Sequence, residues 1–192
     1  MTPTSKCVAA LALSVAAAVC GARQAPDPHA HHHMPAAEQL TRSTATYRLD
    51  GLSLLRADGK AVTLTEELDH DGPLVLDFVF TTCTTICPIL SRTFAQLQSA
   101  RGLRLVSISI DPQHDTPAVL RSYARQFEAG KAWRFYTGTV AQSVAVQRAF
   151  DVYRGNKMNH VPLTFVRRAR GEPWVRLEGY ASAAALAREL AP

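Results

Sequence analysis

The chain has no run of about 18 consecutive apolar residues, the length a membrane-spanning helix needs, so a multi-span membrane protein is excluded. It has little charge: 19% of its 192 residues are Asp, Glu, Lys or Arg, and the net charge at pH 7 is only +5. The basic side chains are scattered. Their densest group, Arg167, Arg168 and Arg170, reads as a solvated turn, and no nucleic-acid-binding motif accompanies it, so no nucleic-acid partner is expected. With 10 glycines and 11 prolines, collagen-like and low-complexity classes are excluded as well. Four cysteines, two near the N-terminus and two together in mid-chain, do not make the disulfide framework of a small secreted fold. What is present is 47% hydrophobic residues, enough to bury one core without covalent staples.

The first 22 residues read as an export signal. A short polar segment ending at Lys6 precedes an Ala-rich apolar run from Val8 to Val19, broken only by Ser14 and too short to span a bilayer. Cleavage after Ala18 or Ala22 would release the chain. Alternatively, Cys20 is the lipidated first residue of a lipoprotein, although Val19 stands where a small residue is usual. Either route leads to the periplasm, where cysteine pairs can be oxidised. Residues 23–45 read as a flexible linker. Pro26, Pro28 and Pro35 surround His29, His31, His32, His33 and Met34, which are either loose ligands for copper or zinc or a solvated spacer.

From residue 46 onward strands and helices alternate. Residues 47–55 and 61–64 read as two short strands around Asp58-Gly59. Leu74 to Phe80 is a continuous apolar run, as in a central strand buried on both faces. Helical spacing follows over 88–100, a strand over 103–110, and a helix from Pro117 to about Gly130, with a capping side chain just before the proline. Strand 133–136, helix 140–150, strands 163–166 and 174–177 and helix 183–190 complete an α/β domain with a central sheet.

The chemistry concentrates at Thr81 to Pro88, TTCTTICP. The string leaves a buried strand and runs into a helix, where open α/β sheets place their sites. Cys87 falls beside the helix N-terminus, whose free N–H groups favour a thiolate. With three residues between them, Cys83 and Cys87 can close a disulfide or present two soft sulfurs to one metal ion, and two thiolates suit copper(I). Burial as small hydrophobes is the alternative, opposed by the two threonines on each side of Cys83. Copper(II) would require a nitrogen as well, and the sharpest candidate is His160, just before strand 163–166. Asp111 either caps its turn or orients the site from behind its ligands. His114 reads as a loop histidine and Met158 as a packing residue with a thioether to offer. Asp77 is a charge inside an apolar strand, paired or acting as a proton carrier. Phe78, Phe80, Trp133 and Phe135 read as core.

The apolar strand followed by Thr82-Cys83-Thr84-Thr85-Ile86-Cys87-Pro88, then Ser107-Ile108-Ser109-Ile110-Asp111-Pro112, Asp115-Thr116-Pro117 and finally His160, resembles the Sco/SenC family over residues 47 to about 190. The resemblance implies a thioredoxin-like fold, a central mixed sheet flanked by helices with an N-terminal β-hairpin extension. It implies one copper ion, copper(I) or copper(II), held by Cys83, Cys87 and His160. It further implies a metallochaperone, expected here to be monomeric, that passes copper to a cytochrome c oxidase subunit or another periplasmic copper carrier. The alternative is a thiol–disulfide oxidoreductase using Cys83 and Cys87 as a redox pair. One departure favours thiol chemistry: His160-Val161-Pro162-Leu163-Thr164 resembles the proline loop of thioredoxins, which predicts a cis bond before Pro162. The turn Arg170-Gly171-Glu172-Pro173 also lacks the family's Asp. A peroxidatic loop of the peroxiredoxin type is set aside, because Phe80 stands in place of that pattern's upstream proline.

Overall fold

The computed structural model describes residues 40–191. The export signal and the His-rich part of the linker lie outside them. The described chain forms an eight-stranded mixed sheet in the order β1-β8-β7-β4-β5-β6-β2-β3. At its centre β4 (Leu74–Val79), β5 (Arg104–Ser109) and β6 (Trp133–Thr137) run parallel. Beside them β7 (Leu163–Arg167) and β8 (Trp174–Glu178) run antiparallel. This is the thioredoxin-like arrangement that the resemblance implies. The hairpin of β2 (Ser53–Arg56) and β3 (Ala61–Thr63), turning at Asp58-Gly59, extends the sheet beyond β6. Gly59 has φ +92°, which a glycine adopts without strain.

Every residue of β4 is buried, because helices cover both faces of the sheet. Alternation sends Leu74, Leu76 and Phe78 to the face packed by α1 (Leu64–Leu68) and α4 (Val140–Ala149). It sends Val75 to the opposite face, under α2 (Ile86–Leu97), α3 (Pro117–Gln126) and α5 (Ala183–Leu190). Thr116 and Thr139 cap α3 and α4 through side-chain oxygens that accept from Val119 and Gln142 N–H groups.

Three expectations are corrected. Thr41–Ala45, the end of the stretch read as linker, forms strand β1 and pairs with β8. Its side chains are mostly exposed, so no apolar alternation marks it, and the free backbone edge of β8 recruits it. Residues 47–52 precede β2 as an irregular segment, with Tyr47, Leu49 and Leu52 packed on the core. Among the described residues no peptide bond is cis, so the bond before Pro162 is trans. A 3-10 turn at Lys157–Asn159 reverses the chain upstream, and His160 leaves it extended (φ −59°, ψ 134°), so the lower-energy trans bond leads straight into β7.

Candidate metal centre

The carboxyl ends of β4 and β5 and the amino end of β7 meet at one rim of the sheet. The Ile110 N–H donates to the Val79 carbonyl at 2.8 Å, so the two parallel strands stay paired up to that rim. The loop from β4 carries Cys83, the first turn of α2 carries Cys87, and the 3-10 turn before β7 delivers His160.

Thr85, at the start of α2, makes no side-chain capping bond. The Cys87 N–H instead donates to Cys83 Sγ at 3.4 Å, so a sulfur serves one of the helix's free N–H groups. The two cysteines are both free and electrostatically unlike. Cys83 is half-buried. Burial would raise its thiol pKa, but the Cys87 and Thr85 N–H groups favour the anion and outweigh it, so the net shift is downward. Cys87 is fully buried against Val79 and Phe80. Burial drives its thiol far upward, and a negative charge on Cys83 adds to the shift.

His160 lies edge-on to Phe80, with ring centroids 6.1 Å apart. Burial draws its pKa down to about 4, so the ring is neutral at pH 7. Its Nε2 is buried and has no hydrogen-bond partner. Cys83 and His160 line one small cavity of about 120 Å3, together with Phe80, Thr82, Thr84, Thr85, Ile86, Lys157 and Met158. Among the described residues no three His, Cys, Asp or Glu side chains already converge as a metal cage. The donors nevertheless suit copper in kind. Two sulfurs and a neutral imidazole are soft-to-borderline ligands, and an orphaned buried ring nitrogen is a costly feature that a metal ion would satisfy.

The other singled-out residues fall into place around this rim. Met158 is 71% exposed at the cavity mouth rather than packed. His114 is exposed on the turn after β5 and lines neither this cavity nor the larger one beside it. Asp111 does not touch the cysteines. Its Oδ2 accepts from Lys157 Nζ at 2.5 Å. Asp77 faces the α2 side of the sheet, in register with Ser107 and Thr164. Burial lifts its carboxyl pKa to about 7, with the Ser107 hydroxyl opposing part of the rise, and neither oxygen has a partner in good hydrogen-bond geometry.

Asp115 stands in the motif that opens α3, but its bracing of the cysteine loop is not legible in the sequence. Thr116 supplies the cap of α3, while the Asp115 carboxylate turns inward and is fully buried. It accepts from Thr81 N–H at 3.2 Å, Thr81 Oγ1 at 2.5 Å and Ser109 Oγ at 2.6 Å, which anchors the root of the cysteine loop to β5.

Comparison with known proteins places the chain in one family. The chain is 32% identical over 106 residues to a SCO1 protein homolog of Bacillus subtilis (strain 168), an alignment covering 52% of this chain and 54% of that protein. It thus spans about half the length of that curated relative. BsSco, described as a member of the Sco family of cytochrome c oxidase assembly proteins and as carrying a disulfide switch, superposes with a TM-score of 0.59 at 24% identity, over 73% of this chain and 88% of that one. The copper-bound structure of ScoI from Arabidopsis thaliana superposes with a TM-score of 0.58 at 25% identity, over 72% and 92% of the two chains. The SCO1/SenC family model matches residues 48–191, a stretch that contains the paired cysteines, the braced loop and the buried histidine, and the chain belongs to the SCO1/SenC family.

Proposed function

We propose that this protein is a periplasmic copper metallochaperone that holds one copper ion through Cys83, Cys87 and His160. The observation that carries the reading is the shared cavity: Cys83 and an imidazole with a buried, unpartnered Nε2 line the same 120 Å3 space, with Cys87 bonded to Cys83 beneath it. Two thiolates suffice for copper(I), and the imidazole adds the nitrogen that copper(II) needs. Three ligands leave an open position for exchange, and the exposed Thr82, Thr84 and Met158 at the mouth leave room for an acceptor's own ligands. The copper-bound ScoI relative and the oxidase-assembly role stated for BsSco support a cytochrome c oxidase subunit as that acceptor, with another periplasmic copper carrier as the other candidate. The leader in residues 1–22 directs the site to the periplasm, with the protein free or held by a lipid on Cys20.

A second reading, a thiol–disulfide oxidoreductase, is favoured by the asymmetry of the two thiols. The Cys83 thiolate would attack one sulfur of a substrate disulfide and release the other as a thiolate. The Cys87 thiol would then pass its proton to the released substrate thiolate, and its sulfur would attack Cys83 and expel the second substrate sulfur as a thiolate. Two electrons pass to the substrate, and a Cys83–Cys87 disulfide remains.

Copper stoichiometry with optical and paramagnetic spectroscopy tests the first reading. The wild type is expected to bind one equivalent tightly, and Cys83→Ser or Cys87→Ser to abolish tight copper(I) binding. Tight binding of one copper within residues 40–191 of the double serine variant overturns it.

A further inference from the structure

The two halves of the site come from distant parts of the chain, and an unbroken series of bonds joins them behind the cavity. At the cysteine end, the Thr81 N–H and hydroxyl donate to Asp115. Asp115 Oδ2 accepts from Ser109 Oγ at 2.6 Å, and that same Oγ accepts from the Asp111 N–H at 3.0 Å. Asp111 Oδ2 accepts from Lys157 Nζ at 2.5 Å, and the Lys157 carbonyl accepts from the His160 N–H at 3.1 Å. The ammonium also sits 5.5 Å from the centre of the Phe80 ring, against whose face and edge lysine and histidine both pack.

The Asp111 end of the pair is sheltered and the Lys157 end is partly open to solvent. The Asp111 side chain is 12% exposed and that of Lys157 37%. The other side-chain bonds of the 154–160 segment are local: Arg154 donates to the Asp151 and Tyr153 carbonyls, Asn156 Oδ1 accepts from Met158 N–H, and Asn159 Nδ2 donates to the Arg154 carbonyl. Among the described residues, Lys157–Asp111 is the side-chain bond that carries this segment across to β5. Lys157 and His160 also line both the small cavity and a neighbouring one of about 380 Å3, so this turn has open space on both sides.

We propose that Asp111 and Lys157 are a positioning pair. They brace the 157–160 turn against the end of β5 and so set where the His160 imidazole stands relative to the cysteine loop, while contacting neither sulfur. The inference rests on His160 being a copper ligand, as proposed above. Losing the brace leaves both thiols in place, so it acts on copper(II), which needs the imidazole, and spares copper(I).

The test uses the purified protein with Lys157→Met, Asp111→Asn, Lys157→Arg and His160→Ala, each checked for folding by far-ultraviolet circular dichroism. Partners that orient a ligand typically change metal affinity by about 10-fold to 100-fold when removed. Lys157→Met and Asp111→Asn are expected to weaken copper(II) within that range and shift its sulfur-to-copper absorption. Their copper(I) affinity stays at the wild-type value, and Lys157→Arg recovers the wild-type spectrum. In the metal-free protein, the His160 ring resonances in 1H–15N spectra are expected to move in Lys157→Met. Wild-type copper(II) binding by Lys157→Met and Asp111→Asn, beside loss in His160→Ala, overturns the positioning pair and leaves the ligand assignment standing. Wild-type copper(II) binding by His160→Ala overturns the ligand assignment. In that case the metal-free resonances decide the brace by themselves, and unmoved His160 signals in Lys157→Met overturn it.

Discussion

The Cys87 N–H donates to Cys83 Sγ at 3.4 Å, joining two thiols of opposite character. The bond stabilises negative charge on the accessible sulfur, and the buried one lies in apolar surroundings beside that charge. Cys83 is therefore expected to be alkylated first, at a pH below that of a free cysteine, while Cys87 stays protected until the protein unfolds. Peptide mass spectrometry after timed iodoacetamide treatment across a pH series measures this. Equal rates at the two positions would contradict it.

Asp115 holds the root of the cysteine loop with three accepted hydrogen bonds in a buried place. In Asp115→Asn an amide N–H2 must face one of those donors. Hydrogen bonds to charged groups are worth about 1.5–3 kcal/mol, so a loss of about 2 kcal/mol is expected in urea denaturation. Amide exchange at Thr81 and Thr82 should accelerate more than in the interior of β4. A variant as stable as the wild type would show that the network contributes nothing.

Asp77 makes stability fall as pH rises. Its folded pKa lies at about 7 against an ordinary 3.8, so between those values the folded protein holds a proton that the unfolded chain has released. Its contribution is therefore complete below pH 3.8, declines through the interval and levels off above about pH 7, with a total on the order of 4 kcal/mol. Asp77→Asn removes this titration and keeps the shape. The stability difference between variant and wild type should thus move in favour of the variant from pH 5 to pH 8. Taking the difference cancels the opposite contribution of His160, whose lowered pKa costs stability as pH falls from 6.5 towards 4. A difference that stays constant with pH would show that Asp77 is ionised in the fold.

His160→Ala separates the two functional readings. Thiol–disulfide exchange needs only Cys83 and Cys87, so its rate with a model disulfide is expected to remain near the wild-type value. Copper(II) binding, which needs the nitrogen, is expected to collapse. Parallel loss of both would indicate that the imidazole serves the thiols rather than the metal.

Much of this was legible residue by residue. The all-apolar run at β4, the helical spacing after Pro88 and the proline after Thr116 place their elements within a few residues, because local periodicity and caps reflect local physics. Cys83, Cys87 and His160 stood out by residue type and by position beside those elements. Strand β1 did not, since an exposed edge strand of polar residues carries no burial pattern and forms only because β8 offers it a free edge. Nor is the trans bond before Pro162 legible in a short likeness to another loop, because the 3-10 turn upstream redirects the chain.

By itself the sequence determined the chemistry available: two sulfurs three residues apart, a late histidine, and an α/β frame to carry them. The tertiary structure alone decided which sulfur is exposed, that His160 Nε2 is buried without a partner, and that Asp111, Asp115 and Lys157 bind the two halves of the site together. These properties depend on burial and on contacts between segments far apart in the chain, and a linear pattern carries neither.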